Sequence, residues 1–374
     1  MNFYRDTFAE VDLDQLISNF RCIKDKANGR KLIAVIKANG YGHGALYMAK
    51  EAIDFGFSML AVSSLDEALT LRQGGVEADI LILGYTRVSD VALAMYHNIT
   101  LTATSLDWVK QLDKMSPSNK LKVHLKIDSG MNRLGMKSVE EAKEAIAILE
   151  EKQICVDGIF THYACSDEES ESMSKKQYEM FSSIVNALEY PFNYVHSSNS
   201  DATMRQFNDT ITNAVRVGLV MYGITDYDEN VKPVLSLYTR LTHVHEVSVE
   251  EGVGYSQTYH PTSKEWIGTV PIGYADGWIR ANQGRMAYIG DEACEFVGRI
   301  CMDQAMIRLP HEYSVNTLVE LIGPHCPLTR VASELNTISY EIVCLLTDRI
   351  PRVYRKGGEI VAIDNPRMRY TVAK

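Results

Sequence analysis

Short apolar segments without polar alternation recur along residues 30–220 of the 374-residue chain. The first of them, Leu32–Ile36, consists only of Leu, Ile, Ala and Val. A continuous apolar run of this length is typical of a strand that is buried on both faces, as in a parallel sheet covered by helices. The pattern predicts eight strands: Leu32–Ile36, Met59–Val62, Ile80–Leu83, Ile99–Thr102, Leu121–Ile127, Val156–Phe160, Tyr194–His196 and Ala214–Val220.

Segments with helical spacing separate these strands, and three of them begin with a serine that can act as an N-cap: Ser64, Ser105 and Ser138. Eight strand–helix repeats are the pattern of a (β/α)8 barrel of the TIM type, which we place at residues 11–232. A doubly wound open sheet is the alternative. The predicted helices are Gly44–Asp54, Ser64–Gln73, Ser105–Lys114, Ser138–Glu151 and Lys175–Leu188.

The second part of the chain has a different pattern, because alternation with a period of two replaces helical spacing after about residue 230. We predict a mostly β C-terminal domain at residues 233–374, joined by an N-terminal strand at about residues 1–10. One helix, Arg330–Leu335 or Ser339–Leu346, interrupts it. The fold class is therefore α/β, a barrel followed by a mostly β domain. Its predicted strands are Leu237–Val249, Trp266–Ile272, Met286–Ile289, Cys294–Ile300, Asn316–Leu321 and Glu359–Ile363.

The composition is that of a globular protein, with 46% hydrophobic and 23% charged residues. A net charge of -10 without a basic stripe argues against nucleic acid and anionic membranes as partners. The N-terminal residues lack the apolar core of a signal peptide, so we expect a cytoplasmic protein. The seven cysteines have no Cys-x-x-Cys spacing, which predicts neither a disulfide framework nor a metal site.

Reactive side chains lie at the carboxyl ends of the predicted strands or in the loops just after them, where barrel enzymes hold their active sites. Lys37 follows the first strand and opens into the glycine-rich loop Asn39–Gly44. A desolvated lysine can lose its proton near neutral pH and attack a carbonyl carbon, whereas the simpler interpretation is a lysine that ends a strand and reaches water. The other candidates are Lys126, Asp128, His162, His196, Asn199, Ser200 and Arg216.

Two glycine-containing segments are candidate phosphate sites. The loop Asn39–Gly44 can present backbone N–H groups, and Arg216–Leu219 follows the last predicted strand, where barrels often bind phosphate. Glycines also permit tight turns, which is the alternative explanation for Gly42 and Gly44.

Eight motifs are distributed along the chain. They are Val35–Gly44, His124–Gly135, Thr161–His162, Asn199–Ser200, Val215–Gly218, Gly254–Tyr255, Pro271–Gly277 and Gly298–Gln304. In order and spacing they resemble the alanine racemase family over nearly the whole chain. The resemblance implies pyridoxal 5′-phosphate (PLP) as cofactor, a small amino acid as substrate and a homodimer with shared active sites. It also implies interconversion of L- and D-alanine by two bases, which supplies D-alanine for peptidoglycan.

The resemblance implies roles for individual residues. Lys37 is the lysine bound covalently to PLP and the base on one face, and Tyr255 of the second subunit is the opposing base. A phenol, with a usual pKa of about 10, is a poor base, and the family provides neighbours for it through His162 and Arg216. The implied cofactor-binding residues are Lys37, Tyr41, Arg133, His162, Asn199, Ser200, Arg216, Gly218 and Leu219, and the implied substrate-binding residues are Arg133, Met302 and Tyr274.

Two basic residues carry further implications. An arginine can only donate hydrogen bonds, so the pyridine nitrogen that Arg216 faces should stay unprotonated, and we expect the weaker electron sink to suppress transamination. Lys126 resembles a family lysine that can be carboxylated to hold Arg133. An ordinary lysine paired with Asp128 is the alternative.

One position departs from the family pattern. Where some members have a tyrosine before an Arg-x-Pro-Arg segment, this chain has Asp348 before Arg349-Ile-Pro-Arg352. Phosphate repels a carboxylate, so we expect Asp348 to turn away or to pair with Arg349. A serine or broad-specificity racemase is therefore the alternative activity. The sequence leaves open whether Tyr354 compensates for the missing tyrosine.

Three other functions fit parts of the sequence. A non-catalytic PLP-homeostasis protein shares the barrel but lacks the β domain that carries Tyr255 and Met302. A decarboxylase of this architecture needs a catalytic cysteine motif and a longer chain. A metal-dependent barrel hydrolase would use His124, His162 and His196. The motifs of the C-terminal half favour the racemase.

Overall fold

The computed structural model describes residues 3–113, 121–225 and 227–368. The chain divides into two compact units. The barrel unit comprises Ile17–Gly40 and Ala45–Lys232, and the β unit comprises Met1–Leu16, Tyr41–Gly44 and Pro233–Lys374. Lys114, the last residue of one predicted helix, lies outside the described residues. So do residues 1–2 of the predicted N-terminal strand and residues 369–374 of the predicted C-terminal domain.

The first strand, β1 (Phe8–Asp12), explains one difference from the predicted domains of residues 11–232 and 233–374. It pairs with two strands of the sheet in the β unit, one antiparallel and one parallel. Residues 11–16 therefore group with the β unit, although the sequence analysis placed them in the barrel domain.

Eight parallel strands of the barrel unit close into a barrel, which confirms the predicted fold class. Every residue of two strands, Met59–Val62 and Ile99–Ala103, is buried. Burial on both sides explains why these segments show no polar alternation. The strands are β2 (Lys31–Val35), β3 (Met59–Val62), β4 (Ile80–Ile82), β5 (Ile99–Ala103), β6 (Lys122–Lys126), β7 (Cys155–Phe160), β8 (Tyr194–His196) and β9 (Ala214–Val217).

Helices connect the barrel strands, and the three predicted serine N-caps are confirmed. The side-chain oxygens of Ser64, Ser105 and Ser138 each accept a hydrogen bond from the backbone N–H three residues later. The sequence missed three helices, Leu13–Ala27, Val91–Tyr96 and Ser200–Met204. The helices are Leu13–Ala27, Ala45–Phe55, Leu65–Gln73, Val91–Tyr96, Leu106–Lys110, Val139–Glu151, Ser172–Leu188 and Ser200–Met204.

The last barrel strand is shorter than the predicted segment Ala214–Val220. It ends at Val217, and Leu219–Tyr222 forms a short 3-10 helix. Gly218 turns the chain between the two, with φ −133° and ψ −81°. This turn places a helix start directly after the strand.

The β unit contains a ten-stranded sheet in the order β11-β12-β15-β14-β13-β16-β10-β1-β17-β18. Buried and half-buried residues alternate along Leu235–Arg240, as a strand with one covered face requires. The strands are β10 (Leu235–Arg240), β11 (His243–Val247), β12 (Glu265–Val270), β13 (Met286–Ile289), β14 (Glu292–Val297), β15 (Ala305–Leu309), β16 (Leu318–Ile322), β17 (Arg352–Lys356) and β18 (Glu359–Asp364).

Two helices of the β unit form where the sequence predicted one: Leu328–Glu334 and Ser339–Cys344. The predicted strand Leu237–Val249 is two strands, β10 and β11, which pair with different neighbours. Across the described part of the chain, every helix is too short or too polar to cross a membrane.

Candidate active site

Lys37 stands just beyond the carboxyl end of β2 and is half-buried. The chain then turns through left-handed backbone conformations at Ala38 (φ 52°), Asn39 (φ 54°) and Gly40 (φ 62°). A side chain in this conformation costs about 1 kcal/mol per residue, so neighbouring groups must stabilise the turn. Asn39 contributes directly, because its Oδ1 accepts a hydrogen bond from the N–H of Ala45 at 2.9 Å.

Glu67 attaches this turn to the neighbouring strand. Its Oε1 accepts from the Ala38 N–H at 2.7 Å, and its Oε2 accepts from the Ser63 N–H at 2.7 Å. Ser63 follows β3 directly, so one carboxylate joins the ends of two adjacent strands. These two hydrogen bonds fix the backbone that carries Lys37.

Arg216, on β9, is only 4% exposed and donates to several acceptors. Its Nη1 donates to His196 Nδ1 at 2.7 Å. Its Nη2 lies 2.7 Å from Thr161 O, 3.0 Å from Ser197 O and 3.1 Å from His162 Nδ1. Its Nε–H donates to none of the described residues and suits an acceptor such as a pyridine nitrogen. Burial lowers the pKa of Arg216 to about 10, which leaves it charged at neutral pH.

His162 lies among four basic side chains. Its own burial and the charges of Arg216, Lys126, Arg133 and Lys37 hold its pKa well below the usual value, so the imidazole is neutral. Because Nδ1 accepts from arginine, the imidazole proton lies on Nε2. The surrounding positive charge suits the phosphate of a cofactor and the carboxylate of an amino acid.

Lys126 is buried, and its Nζ donates to the backbone carbonyl of the next residue at 2.8 Å. Burial, and after it the charge of Arg216, lower the pKa of Lys126 to about 7. Asp128, the alternative partner in the sequence analysis, accepts instead from the Asn132 N–H at 2.9 Å and lies 3.7 Å from Lys137 Nζ. Lys126 therefore carries a large fraction of uncharged amine at neutral pH.

One of the two predicted phosphate segments, Arg216–Leu219, meets Ser200, whose contact with phosphate the resemblance implied, in the barrel unit. The Oγ of Ser200 accepts a hydrogen bond from the Gly218 N–H at 3.0 Å. Asn199 caps the helix that begins at Ser200, because its Oδ1 accepts from the Ala202 N–H at 3.0 Å. Leu219 begins the 3-10 helix that follows β9. Ser200 Oγ also accepts from the Val220 N–H at 3.4 Å, so in this cradle of Ser200, Gly218 and Leu219 the hydroxyl keeps its own proton as a donor for a phosphate.

The other predicted glycine loop, Asn39–Gly44, is divided: Asn39 and Gly40 belong to the barrel unit, and Tyr41–Gly44 belongs to the β unit. Tyr354 is fully buried there, and its hydroxyl donates to His43 O at 3.0 Å. A Cβ at Gly44, whose φ is +96°, would lie 1.8 Å from that hydroxyl, and a Cβ at Gly42 would lie 2.1 Å from a backbone carbonyl. Both glycines are therefore required by turn conformation and close packing.

Asp348 is exposed, and it does not form the expected pair with Arg349. Arg349 Nη2 donates to Asp303 Oδ1 at 2.7 Å, and its Nε lies 3.4 Å from Asp276 Oδ1. These two carboxylates occupy the guanidinium, so of the two expected alternatives the pair with Arg349 is not formed, and the exposure of Asp348 is compatible with the other, a side chain that turns away. Tyr354 is buried in the turn described above, where its hydroxyl donates to His43 O.

Tyr255, Tyr274 and Met302 are exposed side chains of the β unit, at 69%, 43% and 53%. The loops that carry Tyr274 and Met302 are in contact, because the Ala275 N–H donates to Met302 O at 3.1 Å. Arg299, from the same loop as Met302, donates to the side chain that follows Tyr255 at 3.1 Å. The β unit thus presents all three residues on one cluster of loops.

Sequence reasoning missed Glu67 and Asp157. The spacing of Ser64 and Glu67 is that of a capping box, which could have marked the glutamate. Asp157 lies inside a strand, and nothing in the sequence pattern marked it.

The metal-hydrolase alternative used His124, His162 and His196 as metal ligands. Two of them, His124 and His196, hydrogen-bond to each other at 2.9 Å. In the described ranges, no three His, Cys, Asp or Glu side chains are grouped as metal ligands.

Comparisons with known proteins agree with one family. The family model "Alanine racemase, N-terminal domain" matches residues 11–226, and "Alanine racemase, C-terminal domain" matches residues 234–354. The alanine racemase of Halalkalibacterium halodurans is 41% identical over 386 residues, which cover 97% of this chain and 99% of that protein. The alanine racemase of Streptococcus uberis is 43% identical and covers 94% of this chain and 99% of its own length.

A solved structure leads to the same family. Alanine racemase from Bacillus anthracis with bound L-Ala-P superposes with a TM-score of 0.93 at 38% identity and covers 98% of this chain and 99% of its own. Together the two family models cover the barrel and the β unit, and each full-length relative covers both. On this evidence the chain belongs to the alanine racemase family of PLP-dependent enzymes.

Proposed function

We propose that this chain interconverts L- and D-alanine by a two-base mechanism, with Lys37 on one face of the cofactor and Tyr255 of a second copy on the other. The observation that supports this most is the convergence of Lys37, His162 and Arg216 at the carboxyl end of the barrel. A lysine, a neutral imidazole and a buried guanidinium with an unused Nε–H suit PLP, which supplies an electron sink at the substrate α-carbon when bound.

Each base has a defined task. Lys37 holds or releases the α-proton at its Nζ on one side, and the phenolic oxygen of Tyr255 does so on the other. The Nε2–H of His162 is the donor that can stabilise the deprotonated phenol. When PLP is bound, the Nε–H of Arg216 would donate to the pyridine nitrogen and keep a proton away from it. A weaker electron sink would favour reprotonation at the α-carbon over side reactions.

Arg133 is the proposed contact of the substrate carboxylate and the phenolic oxygen of the cofactor. Lys126, with its pKa near 7, can react as the free amine with CO2, which forms a carbamate and releases a proton. That reaction turns a cation into an anion beside Arg133 and orients the guanidinium. Labelling with ¹³C-bicarbonate should give a carbamate signal that a Lys126→Ala variant lacks.

We assign the phosphate to the cradle of Ser200, Gly218 and Leu219, with Asn199 holding the helix that begins at Ser200 and with Tyr41 as a further donor. Met302 and Tyr274 would border the substrate, Met302 through its backbone. The site would act on a small amino acid, in a cytoplasmic protein that supplies D-alanine for peptidoglycan.

The exposure of Tyr255 supports a homodimer. A tyrosine that is 69% exposed lacks the desolvated, cation-lined surroundings that a phenolic base requires. A second copy of the chain that covers this loop cluster would provide them. We therefore propose shared active sites, each combining Lys37 of one copy with Tyr255, Tyr274 and Met302 of the other.

Serine is the second candidate substrate. Asp348 is exposed, and the nearby Tyr354 is buried, so the side of the pocket that a tyrosine closes in some relatives would be more polar here. A serine hydroxyl would be tolerated in such a pocket.

One experiment tests the proposed function. The interconversion of D and L forms of alanine and serine is measured with and without added PLP. We expect PLP-dependent racemisation of alanine and a visible absorption band that borohydride removes. Lys37→Ala should abolish both, whereas Lys122→Ala, which changes a half-exposed lysine of β6, should preserve both. A Lys37→Ala protein that kept the reducible band would contradict the proposal.

A further inference from the structure

A line of buried polar side chains continues from Arg216 through the interior of the barrel. Arg216 Nη1 lies 2.7 Å from His196 Nδ1, and His196 Nε2 lies 2.9 Å from His124 Nδ1. His124 Nε2 lies 3.6 Å from Asp157 Oδ2, which is too long for a hydrogen bond, so this last contact is electrostatic and Nε2 has no hydrogen-bond partner among the described residues. All four residues are at most 5% exposed. The mechanism described above uses only Arg216.

The arginine determines the proton positions along this line. A guanidinium only donates, so His196 Nδ1 must accept and its proton lies on Nε2. That N–H donates to Nδ1 of His124, whose proton therefore lies on its own Nε2 and is directed at Asp157. Burial lowers the pKa of both histidines, which keeps the imidazoles neutral.

Asp157 terminates the line as a charged group. The His124 imidazole, and the Asn193 amide that donates to Asp157 Oδ1 at 2.7 Å, lower the pKa of Asp157 to about 2. The carboxylate polarises the imidazole beside it, so each acceptor nitrogen along the line binds the next donor more strongly. The effect is transmitted as far as the guanidinium.

The fold of β7 is adapted to this line. Val123 of β6 pairs with Val156, but the next residue, His124, pairs with Gly158, so Asp157 is the extra residue of a β-bulge. A bulge redirects a side chain that regular alternation would point to the other face. A Cβ at Gly158 would lie 2.7 Å from His124 Cε1. Next to His124, β7 therefore has an irregular pairing with β6 and a glycine without a side chain.

We propose that Asp157, His124 and His196 are positioning residues that fix the orientation of Arg216 and direct its Nε–H toward the cofactor. Without the carboxylate, His124 can adopt the other tautomer, and His196 would then meet Arg216 with an N–H instead of an acceptor. The inference rests on the proposed contact between Arg216 and the pyridine nitrogen of PLP.

The first test measures tautomers in the unmodified holoenzyme. Imidazole ¹⁵N chemical shifts of histidine-labelled protein, assigned by the loss of signals in His124→Gln and His196→Gln variants, report which nitrogen carries the proton. We expect an Nε2–H tautomer for both residues. An Nδ1–H tautomer or a cationic ring at either position overturns the proposal. This result does not depend on the folding of a weakened variant.

The second test uses Asp157→Asn, which keeps an acceptor for Asn193 and removes the charge. We expect altered histidine shifts, a changed visible circular dichroism of bound PLP and about tenfold more transamination per turnover, with the KM for alanine within about twofold. The matched control is Asp79→Asn, whose carboxylate lies 3.6 Å from Lys122 Nζ. If Asp157→Asn matches this control in all readouts, the proposal is overturned.

A double variant separates the proposal from the function on which it rests. In an Arg216→Lys background, Asp157→Asn should change the amount of transamination per turnover by less than about twofold. The guanidinium through which Asp157 would act on the cofactor is then absent. A full tenfold effect there overturns the proposal. If Arg216→Lys alone leaves the cofactor spectrum unchanged, the contact between Arg216 and PLP is wrong and the positioning role fails with it, even where the tautomers are as expected.

Discussion

Asp348 is the residue at which this chain departs from some relatives, and it leads to a prediction about specificity. Replacing it by Tyr should raise the preference for alanine over serine by about tenfold, because the pocket loses polarity and room for a hydroxyl. The ratio of the two kcat/KM values measures this. Tyr354→Phe is the control, since it removes the hydrogen bond to His43 O and should lower stability by about 1 kcal/mol without changing the ratio. Equal selectivity in Asp348→Tyr and the parent protein would contradict the prediction.

Arg216 leads to a second prediction, about reaction specificity. Arg216→Glu places a carboxylate beside the pyridine nitrogen of PLP, and the two groups can share a proton. A protonated pyridine nitrogen makes the cofactor a stronger electron sink. We expect the ratio of pyruvate formed to alanine racemised to rise by about tenfold or more. An unchanged ratio in a variant that still binds PLP would show that the guanidinium does not control the sink.

At this scale the sequence predicted residues whose chemistry requires a particular side chain at a strand end. Lys37 and Arg216 fall in this group, because a cation directly after a buried apolar run, or inside one, is unusual in itself. Asp157 could not be predicted, since a carboxylate in a strand resembles an exposed residue until the bulge is known. The backbone geometry, not the residue type, gives it its position.

The left-handed turn after β2 is the element on which the position of Lys37 depends. Glu67→Ala removes both hydrogen bonds that hold the turn, at Ala38 and Ser63, and should lower the free energy of unfolding by about 2 kcal/mol. It should also reduce PLP occupancy, which visible absorption measures. Asp66→Ala, an exposed neighbour on the same helix, should change stability by less than about 0.5 kcal/mol. Equal effects of the two substitutions would show that the turn is held by other contacts.

The barrel strands β6 and β8, which carry the buried His124 and His196, lead to a prediction that the protein is sensitive to acid. Burial lowers both pKa values, so below about pH 6.5 the unfolded chain binds more protons than the folded one. Stability therefore falls as the pH falls, by up to about 1.4 kcal/mol per pH unit for each histidine. Urea unfolding between about pH 7.5 and 5.5 measures the slope. His196→Gln should reduce it, whereas exposed His260→Gln should not, and a slope that was the same in both variants would exclude the buried histidines as its source.

Strands that are buried on both faces were predicted well because their composition leaves little choice of structure. β17 was missed because its sequence, Arg-Val-Tyr-Arg-Lys, reads as polar. Its first residue, Arg352, is nevertheless fully buried, and its guanidinium donates to backbone carbonyls, including Gly42 O at 2.9 Å. The other acceptors, the carbonyls of Leu346, Thr347 and Ile350, are close in sequence, but they surround the guanidinium only once the chain has folded, so the residue types alone do not reveal the burial.

On the scale of the whole molecule, distant segments combine in ways that a linear pattern cannot specify. β1 pairs in antiparallel fashion with β10 and in parallel with β17, although more than 200 residues separate it from either. The sequence predicted an N-terminal strand that joins the C-terminal domain, but it gave neither the partners nor the register. Those depend on long-range side-chain packing across the sheet.

Shared active sites between two copies lead to the last prediction. Lys37→Ala and Tyr255→Phe chains should each form inactive homodimers, because every site then lacks one base. Mixed by co-expression or by reversible dissociation, half of the dimers are heterodimers, and each of these has one site with an intact Lys37 and an intact Tyr255. Activity should therefore return to about a quarter of the unmodified level. If both bases came from the same chain, every site would lack one of them and the mixture would stay inactive. The recovered activity thus distinguishes a site completed by the second copy from a site that one chain completes alone.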